Sequence, residues 1–431
     1  MRLNGFSEKL FRTQDKAYSP PPSPDKLTAG QVNLLVLVLA FATAARLGWV
    51  CLSPAVPVSD FAWYDAVARN LATGKGYTET GAPTAFRPPG YPIFLAGVYT
   101  LFGDHPSSAR LANALLGIAV VILVFLLGWR LTSPNTALLA AGLTAFTPSL
   151  VLYTPLLASE NLSTPLLLLA LLLFATAIAK PFVWIFFFAG FLAGLASLTH
   201  PLLALLPVAL WLSVFRNNSL RSLIRPMICY WLAFLISLSP WIYRNYRVFQ
   251  NFIPFSTNSG LNLLVSFNPA SRGGFVRAEE IPAWIELEKV GADEIELDRL
   301  AQQAAWNFIQ ENPLRSVGLA ALKVFNLWRD DVSGVTWNFT QPSLIPSRCQ
   351  ILLMLILAQG YYISLLFLAI YNLFASENFR SNPGWQILPA SLFYLTVMHT
   401  VFFGDDRYHL PFLPVLIILS AAGLDRFTRQ I

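Results

Sequence analysis

The chain of 431 residues is 55% hydrophobic and only 12% charged, and its formal net charge is +6. Soluble domains carry about 25% charged residues, so this composition excludes an ordinary soluble domain. The apolar residues form continuous runs rather than alternating, which favours membrane-spanning helices over a β-barrel. The positive charge does not point to nucleic acid, because no basic groove interleaved with aromatic residues occurs.

The chain begins with a polar segment and then alternates apolar runs with loops. Residues 1–31 contain a Pro- and Ser-rich stretch, which predicts a disordered cytoplasmic tail. Ten apolar segments then predict an all-α polytopic membrane protein with about ten transmembrane helices. These segments are residues 32–52, 108–127, 136–153, 162–179, 182–199, 201–215, 226–243, 350–374, 385–403 and 410–424.

The segments between 182 and 215 could instead form one long tilted helix. That reading would place Arg216, Arg221 and Arg225 outside, against the tendency of Lys and Arg to remain in the cytoplasm, so two spans are predicted. Ten spans put both termini in the cytoplasm of an integral plasma-membrane or inner-membrane protein.

Three parts follow from this topology. They are an N-terminal transmembrane module at 32–243 with an external loop at 53–107, an external α-rich region at 244–349, and a C-terminal transmembrane module at 350–431. Juxtamembrane helices are predicted at 59–72 and 90–102. The external region is predicted to hold helices at 293–310 and 314–328, the second of which places Lys323 and Trp328 at the membrane interface.

A carboxylate follows the first predicted span. Asp60 lies at the external mouth of that span, where it could take a proton from an acceptor hydroxyl. In the alternative interpretation, Ser59 or Asp60 is only the N-cap of the helix at 59–72.

An arginine in a proline-rich turn comes next. Residues 87–92 read Arg-Pro-Pro-Gly-Tyr-Pro. The planar fork of Arg87 could hold two oxygens of a phosphate, and the prolines limit the entropy lost on binding. Alternatively, Arg87 extends to the interface beside a proline that starts a helix. Tyr91 is a candidate contact for donor or acceptor.

Other candidate residues lie at the predicted external ends of later spans. An edge carboxylate such as Glu160 is costly and indicates function, although it is also the first-turn acid of the following helix. His200 is either a substrate contact or a satisfied interfacial histidine. Arg244 could clamp phosphate or anchor the interface. The remaining candidates are Asn258, Arg407 and Tyr408.

Metal and nucleotide chemistry are not indicated. Asp405 and Asp406 could suggest a metal site, but a mutual salt bridge with Arg407 is the simpler explanation. The cysteines have no metal-binding spacing, and Cys51 and Cys349 could pair on the external side. No phosphate-binding loop, zinc-protease motif or dinucleotide fingerprint occurs in the sequence.

In their order, these motifs resemble the polyprenyl-phosphate-dependent glycosyltransferases of the C superfamily. The resemblance is strongest to the glycosyltransferase 39 type, which includes protein O-mannosyltransferases and the aminoarabinose transferase acting on lipid A. It spans most of residues 32–425. It rests on residues 59–60, 87–92, 159–161, 240–245, 256–263 and 407–411.

The resemblance implies inverting transfer of a hexose or pentose from a polyprenyl monophosphate to an acceptor hydroxyl on the non-cytoplasmic side. Asp60 matches the catalytic first-loop aspartate of the family, and Glu160 matches a second acidic position. The matching phosphate contacts are Arg87, Arg244, Arg407 and Tyr408. His200 stands where many relatives carry Lys or Arg, and Phe61 replaces the Glu of an Asp-Glu pair, so protein mannosylation is not expected.

The expected partners are a polyprenyl-phosphate sugar, the membrane, and a lipid, glycan or protein acceptor. No cofactor is expected, and no metal, because a monophosphate flanked by arginines needs no cation. Two other classes stay open: a transporter or flippase of lipid-linked sugars, and a polymerase or ligase with a diphosphate donor. The sequence identifies neither the sugar, the acceptor nor the oligomeric state.

Overall fold

The computed structural model describes residues 26–215, 219–340, 346–375 and 383–430, and the regular structure of these ranges is helical. The helices within them are α1 Ala29–Leu52, α2 Asp60–Ala72, α3 Gly90–Phe102, α4 Pro106–Leu131, α5 Pro134–Phe146, α6 Pro148–Leu152, α7 Glu160–Ala179, α8 Val183–Thr199, α9 Leu206–Phe215, α10 Leu220–Phe249, α11 Ser259–Ser266, α12 Pro282–Lys289, α13 Glu294–Glu311, α14 Pro313–Arg329, α15 Ser333–Asn338, α16 Arg348–Ala375, α17 Pro383–Val401 and α18 Leu413–Thr428. Short 3₁₀ segments occur at Pro201–Leu203, Ala278–Glu280 and Asp406–Phe412.

Six segments of the described ranges are long and apolar enough to cross a membrane. They are α1, α4, α7, α10, α16 and Asp406–Thr428. Shorter apolar helices occur at Gly90–Phe102, Val183–Thr199 and Pro201–Phe215. The predicted class of all-α integral membrane protein is confirmed, whereas the count of about ten spans and the division into parts stay predictions.

The first span begins earlier than predicted. Helix α1 starts at Ala29 because Thr28 and Gln31 form a capping box, in which each side chain bonds the backbone N–H of the other residue. The last three residues of the predicted disordered tail are therefore helical. Residues 1–25 of that tail lie outside the described residues.

A proline follows each of two breaks between apolar helices. The segment 136–153 is split into α5 and α6 where Thr147, in an extended conformation, precedes Pro148. Helix α8 ends at Thr199, and His200 is extended with φ −141° before Pro201. The two segments at 182–215 are thus separate helices, and a single long helix there is excluded.

One helix is longer than the span predicted at 226–243. Helix α10 continues to Phe249, past the predicted end at 243, and stops where Gln250 adopts a left-handed conformation with φ 55°. Arg244 therefore lies on a helix rather than in a loop. Helices α13 and α14 agree with the helices predicted at 293–310 and 314–328.

One residue of α14 is not where the sequence suggested. Lys323 is fully buried, and its Nζ donates to the carbonyl oxygen of Val401 at 2.8 Å and lies 3.2 Å from the ring centroid of Phe267. The prediction that Lys323 contacts the membrane interface is wrong, because this face of α14 packs against α17. Burial lowers its pKa to about 7.

Close helix packing holds the N-terminal module together. Helix α7 packs against α4 and α8, and α8 packs tightly against α10. Glycine permits this approach: a Cβ at Gly190 would lie 2.1 Å from the carbonyl oxygen of Tyr230. In the external region, α11 packs against α13 over a second apolar core. The site lies where the N-termini of α2 and α7 meet the 3₁₀ segment Asp406–Phe412.

Candidate active site

Both carboxylate oxygens of Asp60 are bound by arginines. Oδ1 forms an ion pair with Nη2 of Arg87 at 2.8 Å, and Oδ2 accepts from Nη1 of Arg407 at 3.0 Å. The residue before it, Ser59, has φ 50°, a conformation that is uncommon for a residue other than glycine. Ser59 occupies the N-cap position of α2 but makes no capping hydrogen bond. The side chain of Asp60 is therefore committed to ion pairs rather than to capping the helix.

Arg407 joins Asp60 to the second predicted acid. Its Nε donates to Oε1 of Glu160 at 2.5 Å and its Nη2 to Oε2 at 3.4 Å, so that the guanidinium meets Glu160 as a fork. The side chain of Glu160 is only 1% exposed and that of Arg407 is 12% exposed. The guanidinium also lies 5.1 Å from the ring centroid of Phe61. One cation thus holds two carboxylates that enter from different parts of the chain.

Three aromatic rings surround the guanidinium of Arg87. Its guanidinium carbon lies 5.3 Å from the ring centroid of Phe86, 5.7 Å from that of Trp63 and 6.0 Å from that of Tyr64. Within the described residues, only Nη2 has an ion-pair partner, and Nε is buried without a hydrogen-bond partner. Arg87 therefore keeps hydrogen-bond donors that the protein does not use.

The turn that follows Arg87 packs tightly against the end of α8. A Cβ at Gly90 would lie 2.4 Å from Oγ1 of Thr199 and 2.8 Å from its backbone nitrogen and Cα. Tyr91 is fully buried and donates its hydroxyl to Oδ1 of Asn113 at 3.1 Å, and its ring contacts that of Tyr64 edge to face. In this turn, Gly90 is needed for close approach and Tyr91 packs beneath the site.

A network not foreseen from the sequence holds the loop between α2 and α3. Glu294 accepts from Oγ1 of Thr84 and from the backbone N–H of Ala85, both at 2.8 Å. The hydroxyl of Tyr77 donates to the carbonyl oxygen of Arg87 at 2.8 Å. Glu294 reads in the sequence as a first-turn helix acid, and Tyr77 stands in no motif, so neither carried a signal that would have identified it.

Arg244 belongs to this network rather than to the Asp60 cluster. Its Nη1 donates to the carbonyl oxygen of Thr84 at 2.8 Å and its Nη2 to that of Tyr77 at 3.1 Å. The guanidinium also lies 5.0 Å from the ring centroid of Trp241. Arg244 therefore stabilises the loop that carries Arg87, and its predicted role in phosphate binding stays a prediction.

The electrostatics of Asp60 follow from two opposing effects. Burial by itself raises the pKa of this carboxyl, but the positive charges of Arg407 and Arg87 outweigh it and hold the pKa below its ordinary value. Two carboxylates and two guanidinium groups leave this cluster formally neutral. Asp60 is consequently ionised at neutral pH, and its basicity depends on how close the guanidinium groups of Arg87 and Arg407 lie to it.

His200 and Tyr408 lie beside the cluster as an aromatic pair. Their ring centroids are 5.9 Å apart, with an edge-to-face arrangement. Burial lowers the pKa of His200, which makes the imidazole neutral near pH 7, and its Nδ1 is buried without a partner among the described residues. A neutral imidazole holds a phosphate only as a hydrogen-bond donor.

Other candidate residues lie apart from the cluster. Asn258 lies before α11, where its Oδ1 accepts from Oγ of Ser256 at 2.8 Å.

The prediction of a simple salt bridge between the Asp405–Asp406 pair and Arg407 is wrong. Asp405 accepts from the backbone N–H of Arg407, and Asp406 accepts from the N–H groups of Val332 and Ser333. Cys51 and Cys349 are free and exposed.

Comparison with known proteins agrees with this fold. Residues 86–243 match the family model described as dolichyl-phosphate-mannose-protein mannosyltransferase, and this range holds Arg87, Tyr91, Glu160 and His200. A search of curated protein sequences found no match.

Solved structures with a similar fold include the archaeal oligosaccharyltransferase AglB from Archaeoglobus fulgidus. In complex with an inhibitory peptide and a dolichol-phosphate, it is 15% identical with a TM-score of 0.54, over 93% of this chain and 51% of AglB. Its apo form is 16% identical with a TM-score of 0.58 over the same shares. ArnT from Cupriavidus metallidurans bound to undecaprenyl phosphate is 15% identical with a TM-score of 0.46, over 93% of this chain and 79% of ArnT.

The likeness to AglB shows a shared fold, and this chain spans about half the length of AglB. Together with the family match, it confirms the resemblance to the C superfamily of polyprenyl-phosphate glycosyltransferases that the sequence suggested.

Proposed function

We propose that this protein is an inverting glycosyltransferase. It moves a hexosyl or pentosyl group from a polyprenyl-phosphate donor to an acceptor hydroxyl on the non-cytoplasmic side of the membrane. The observation that carries the proposal is the ion-paired cluster in which Arg87 and Arg407 share Asp60 and Arg407 also holds Glu160. The structures matched by fold include a complex with a dolichol-phosphate, which supports a lipid phosphate as the donor.

Arg87 is the group best placed to bind the phosphate of the sugar donor. Its side chain is 21% exposed, so an arriving phosphate oxygen can reach the guanidinium, and its Nε is buried without a hydrogen-bond partner in the described residues. Arg407 has all three nitrogens engaged and is better suited to fixing the two carboxylates. As the leaving phosphate gains charge, a fixed cation stabilises the transition state more than the ground state.

The proposed reaction exchanges one bond at the anomeric carbon for another and moves one proton. The acceptor oxygen bonds to the anomeric carbon from the face opposite the phosphate, and the bond between that carbon and the phosphate oxygen breaks. The hydroxyl proton passes to Asp60, and the polyprenyl phosphate leaves with one additional negative charge. A phosphate that draws Arg87 away from Asp60 would raise the basicity of that carboxylate when the donor is bound.

The position of the cluster supports a site at one membrane surface. Asp60 follows the first span, Glu160 begins α7, and Arg407 begins the last apolar segment. Because their side chains bond one another, these three helix ends lie at the same level. The topology predicted from the sequence assigns that level to the external side, with both termini in the cytoplasm. No metal or cofactor is required by the proposed step.

The test is transfer of a labelled sugar by the purified full-length protein in nanodiscs. The donors are undecaprenyl phosphates carrying labelled mannose, glucose or arabinose, and the acceptor source is membranes from a strain lacking the gene. Asp60→Asn is expected to abolish transfer without loss of folding. Asp65→Asn is the matched control, because Asp65 lies on the same helix but pairs with Arg69. Undiminished transfer by the Asp60→Asn variant would refute the proposal.

The same assay separates the other two classes. A transporter would redistribute the labelled lipid across the nanodisc or liposome bilayer without cleaving it. A polymerase or ligase of the diphosphate type would use only undecaprenyl diphosphate sugars. A reaction unaffected by a chelator supports the absence of an obligatory metal.

A further inference from the structure

A large cavity lies in the external region beside the cluster. Its volume is about 980 Å³, at the upper end of the range for ligand pockets. It is formed by the loop before the first 3₁₀ turn of the external region, by α14 and α15, and by the segment just before Arg407. None of Asp60, Arg87, Glu160 or Arg407 lines it, so it is a separate space.

Two contacts connect this cavity to the cluster. Trp337, which lines the cavity, packs edge to face on Phe61 at 5.1 Å between ring centroids, and Phe61 lies under the guanidinium of Arg407. Asp405, also a lining residue, accepts from the backbone N–H of Arg407 at 3.0 Å. The wall of the cavity thus contacts both Phe61 and the backbone of Arg407, and Arg407 is the residue that holds Asp60.

The cavity wall is polar and of mixed charge. Among its lining residues are three arginines and four carboxylates, a formal balance of one negative charge in a chain whose net charge is +6. Charges of both signs are engaged within the protein: Arg329 pairs with Asp330 at 2.7 Å, Arg315 donates to the carbonyl oxygen of Pro269, and Asp405 and Asp406 accept from backbone N–H groups. Burial also raises the pKa of Asp406 to about 7. The wall therefore offers a phosphate-bearing acceptor no excess of positive charge, which disfavours it.

The same wall suits a molecule with many hydroxyl groups. Carboxylates accept hydrogen bonds and guanidinium groups donate them, so both sides of a hydroxyl find partners. Two lining aromatic rings, Phe275 and Trp337, offer flat apolar faces. Carboxylates with an aromatic face also favour a bound amine.

We propose that this cavity binds the acceptor, and that the bound part of the acceptor is a neutral or amino-bearing saccharide rather than a phosphorylated headgroup. The inference rests on the proposed transferase function, because only that function makes the bound saccharide an acceptor. The saccharide site itself stands on the cavity, its charge balance and its aromatic faces.

Saturation-transfer NMR on the full-length protein in detergent tests the site directly. The probes are maltotriose, the glucosamine trimer and trigalacturonate, which are neutral, cationic and anionic trisaccharides. We expect signals from the first two and at least a tenfold weaker signal from trigalacturonate. Trp337→Ala is expected to remove the signals, and Trp337→Phe to keep most of them, which guards against a simple folding defect. Trp306→Ala is the matched control, because Trp306 is 51% exposed on α13 and does not line the cavity.

The result that overturns the inference is binding that does not depend on Trp337, absence of binding by both favoured probes, or preferential binding of trigalacturonate. The Asp60→Asn variant separates this inference from the proposed function. If it loses transfer while no saccharide binds the wild type, the transferase proposal stands and the saccharide site is wrong. If saccharides bind through Trp337 but no donor is ever consumed, the cavity is a saccharide site and the transferase proposal is wrong.

Discussion

Arg407 and Asp60 are 347 residues apart in the chain, yet Nη1 of the first donates to Oδ2 of the second at 3.0 Å. The opposite edge of the same guanidinium binds Glu160. A planar group with fixed donor directions can hold two carboxylates in one orientation, whereas a flexible ammonium cannot. The position of Asp60 therefore depends on the last apolar segment of the chain as much as on the first.

Removal of Arg407 is expected to destabilise the protein as well as to stop transfer. In Arg407→Met, the carboxylate of Glu160 stays buried without its partner, which typically costs about 3–5 kcal/mol. Adding Glu160→Gln should restore a large part of that loss, because the uncompensated charge is then gone. Thermal unfolding of the single and double variants measures the loss of stability and its recovery. Arg407→Lys should also be inactive in the transfer assay, because lysine lacks the planar fork of the guanidinium. A single variant as stable as the wild type would contradict the buried pairing.

The pKa of Asp60 gives a prediction about pH. Its folded-state pKa lies below the unfolded value of about 3.9, so the ionised carboxylate adds stability above that pH and loses it as the pH falls through the folded-state pKa. Arg87→Ala removes one of the two cations while burial remains, so the pKa of Asp60 should rise. The variant is then less stable than the wild type at neutral pH, and the difference should shrink as the pH falls through this raised pKa.

Melting temperatures between pH 3 and pH 8 in detergent measure this difference. Arg247→Ala is the control, because the described side-chain contacts of Arg247 are with Tyr243 and not with a carboxylate. Its effect should not vary with pH. A pH-independent difference for Arg87→Ala would mean that Arg87 does not set the pKa of Asp60.

The helical class and the long spans could be predicted from the sequence because each apolar run carries its own signal. Helix α13 was predictable for the same reason: its apolar spacing and its stop before Pro313 are local. The packing inside the external region could not be predicted from the sequence. Lys323 has the local pattern of an interfacial lysine, but it is buried against α17 through its contact with Val401, which lies 78 positions away in the chain.

The candidate site was predictable as a set of residues but not as an arrangement. Glu160 could be chosen because an edge carboxylate is costly, Asp60 because it follows the first span, and Arg87 because it begins a proline-rich turn. The hydrogen-bond partner of each was not readable, since pairing depends on how the helix ends meet in space. Arg407 was expected to pair with its neighbours Asp405 and Asp406, but their oxygens accept from backbone N–H groups.

The proline-rich turn gives a stability prediction. Gly90→Ala would place a methyl group 2.4 Å from Oγ1 of Thr199 and 2.8 Å from its backbone, and such overpacking costs about 1–3 kcal/mol. Gly97→Ala in the same helix is the matched control, because a Cβ there meets nothing within 4 Å. The control should be neutral or slightly stabilising by helix propensity. Equal melting temperatures for the two variants would rule out the close approach of α3 and α8.

The loop that carries Arg87 should depend on hydrogen bonds from α13. Glu294 accepts from Thr84 and Ala85, and Arg244 braces the same loop from the other side. Glu294→Ala removes both acceptors, and losing hydrogen bonds to a charged group costs about 1.5–3 kcal/mol. We expect undecaprenyl phosphate to bind roughly 10–100-fold more weakly to this variant, because Arg87 is no longer held toward the phosphate.

Glu294→Gln separates hydrogen bonding from charge at this position. The amide oxygen of glutamine can still accept from Ala85, and its amino group can donate to the hydroxyl of Thr84, so affinity for undecaprenyl phosphate should stay near that of the wild type. Glu296→Ala, on the same helix but paired only with Arg299 within the described residues, should leave binding unchanged. Titration of the three variants with undecaprenyl phosphate, followed by ³¹P NMR, decides between the outcomes. If glutamine weakens binding as much as alanine, the negative charge of Glu294 matters rather than its two hydrogen bonds, and the loop is held by electrostatic attraction to Arg244.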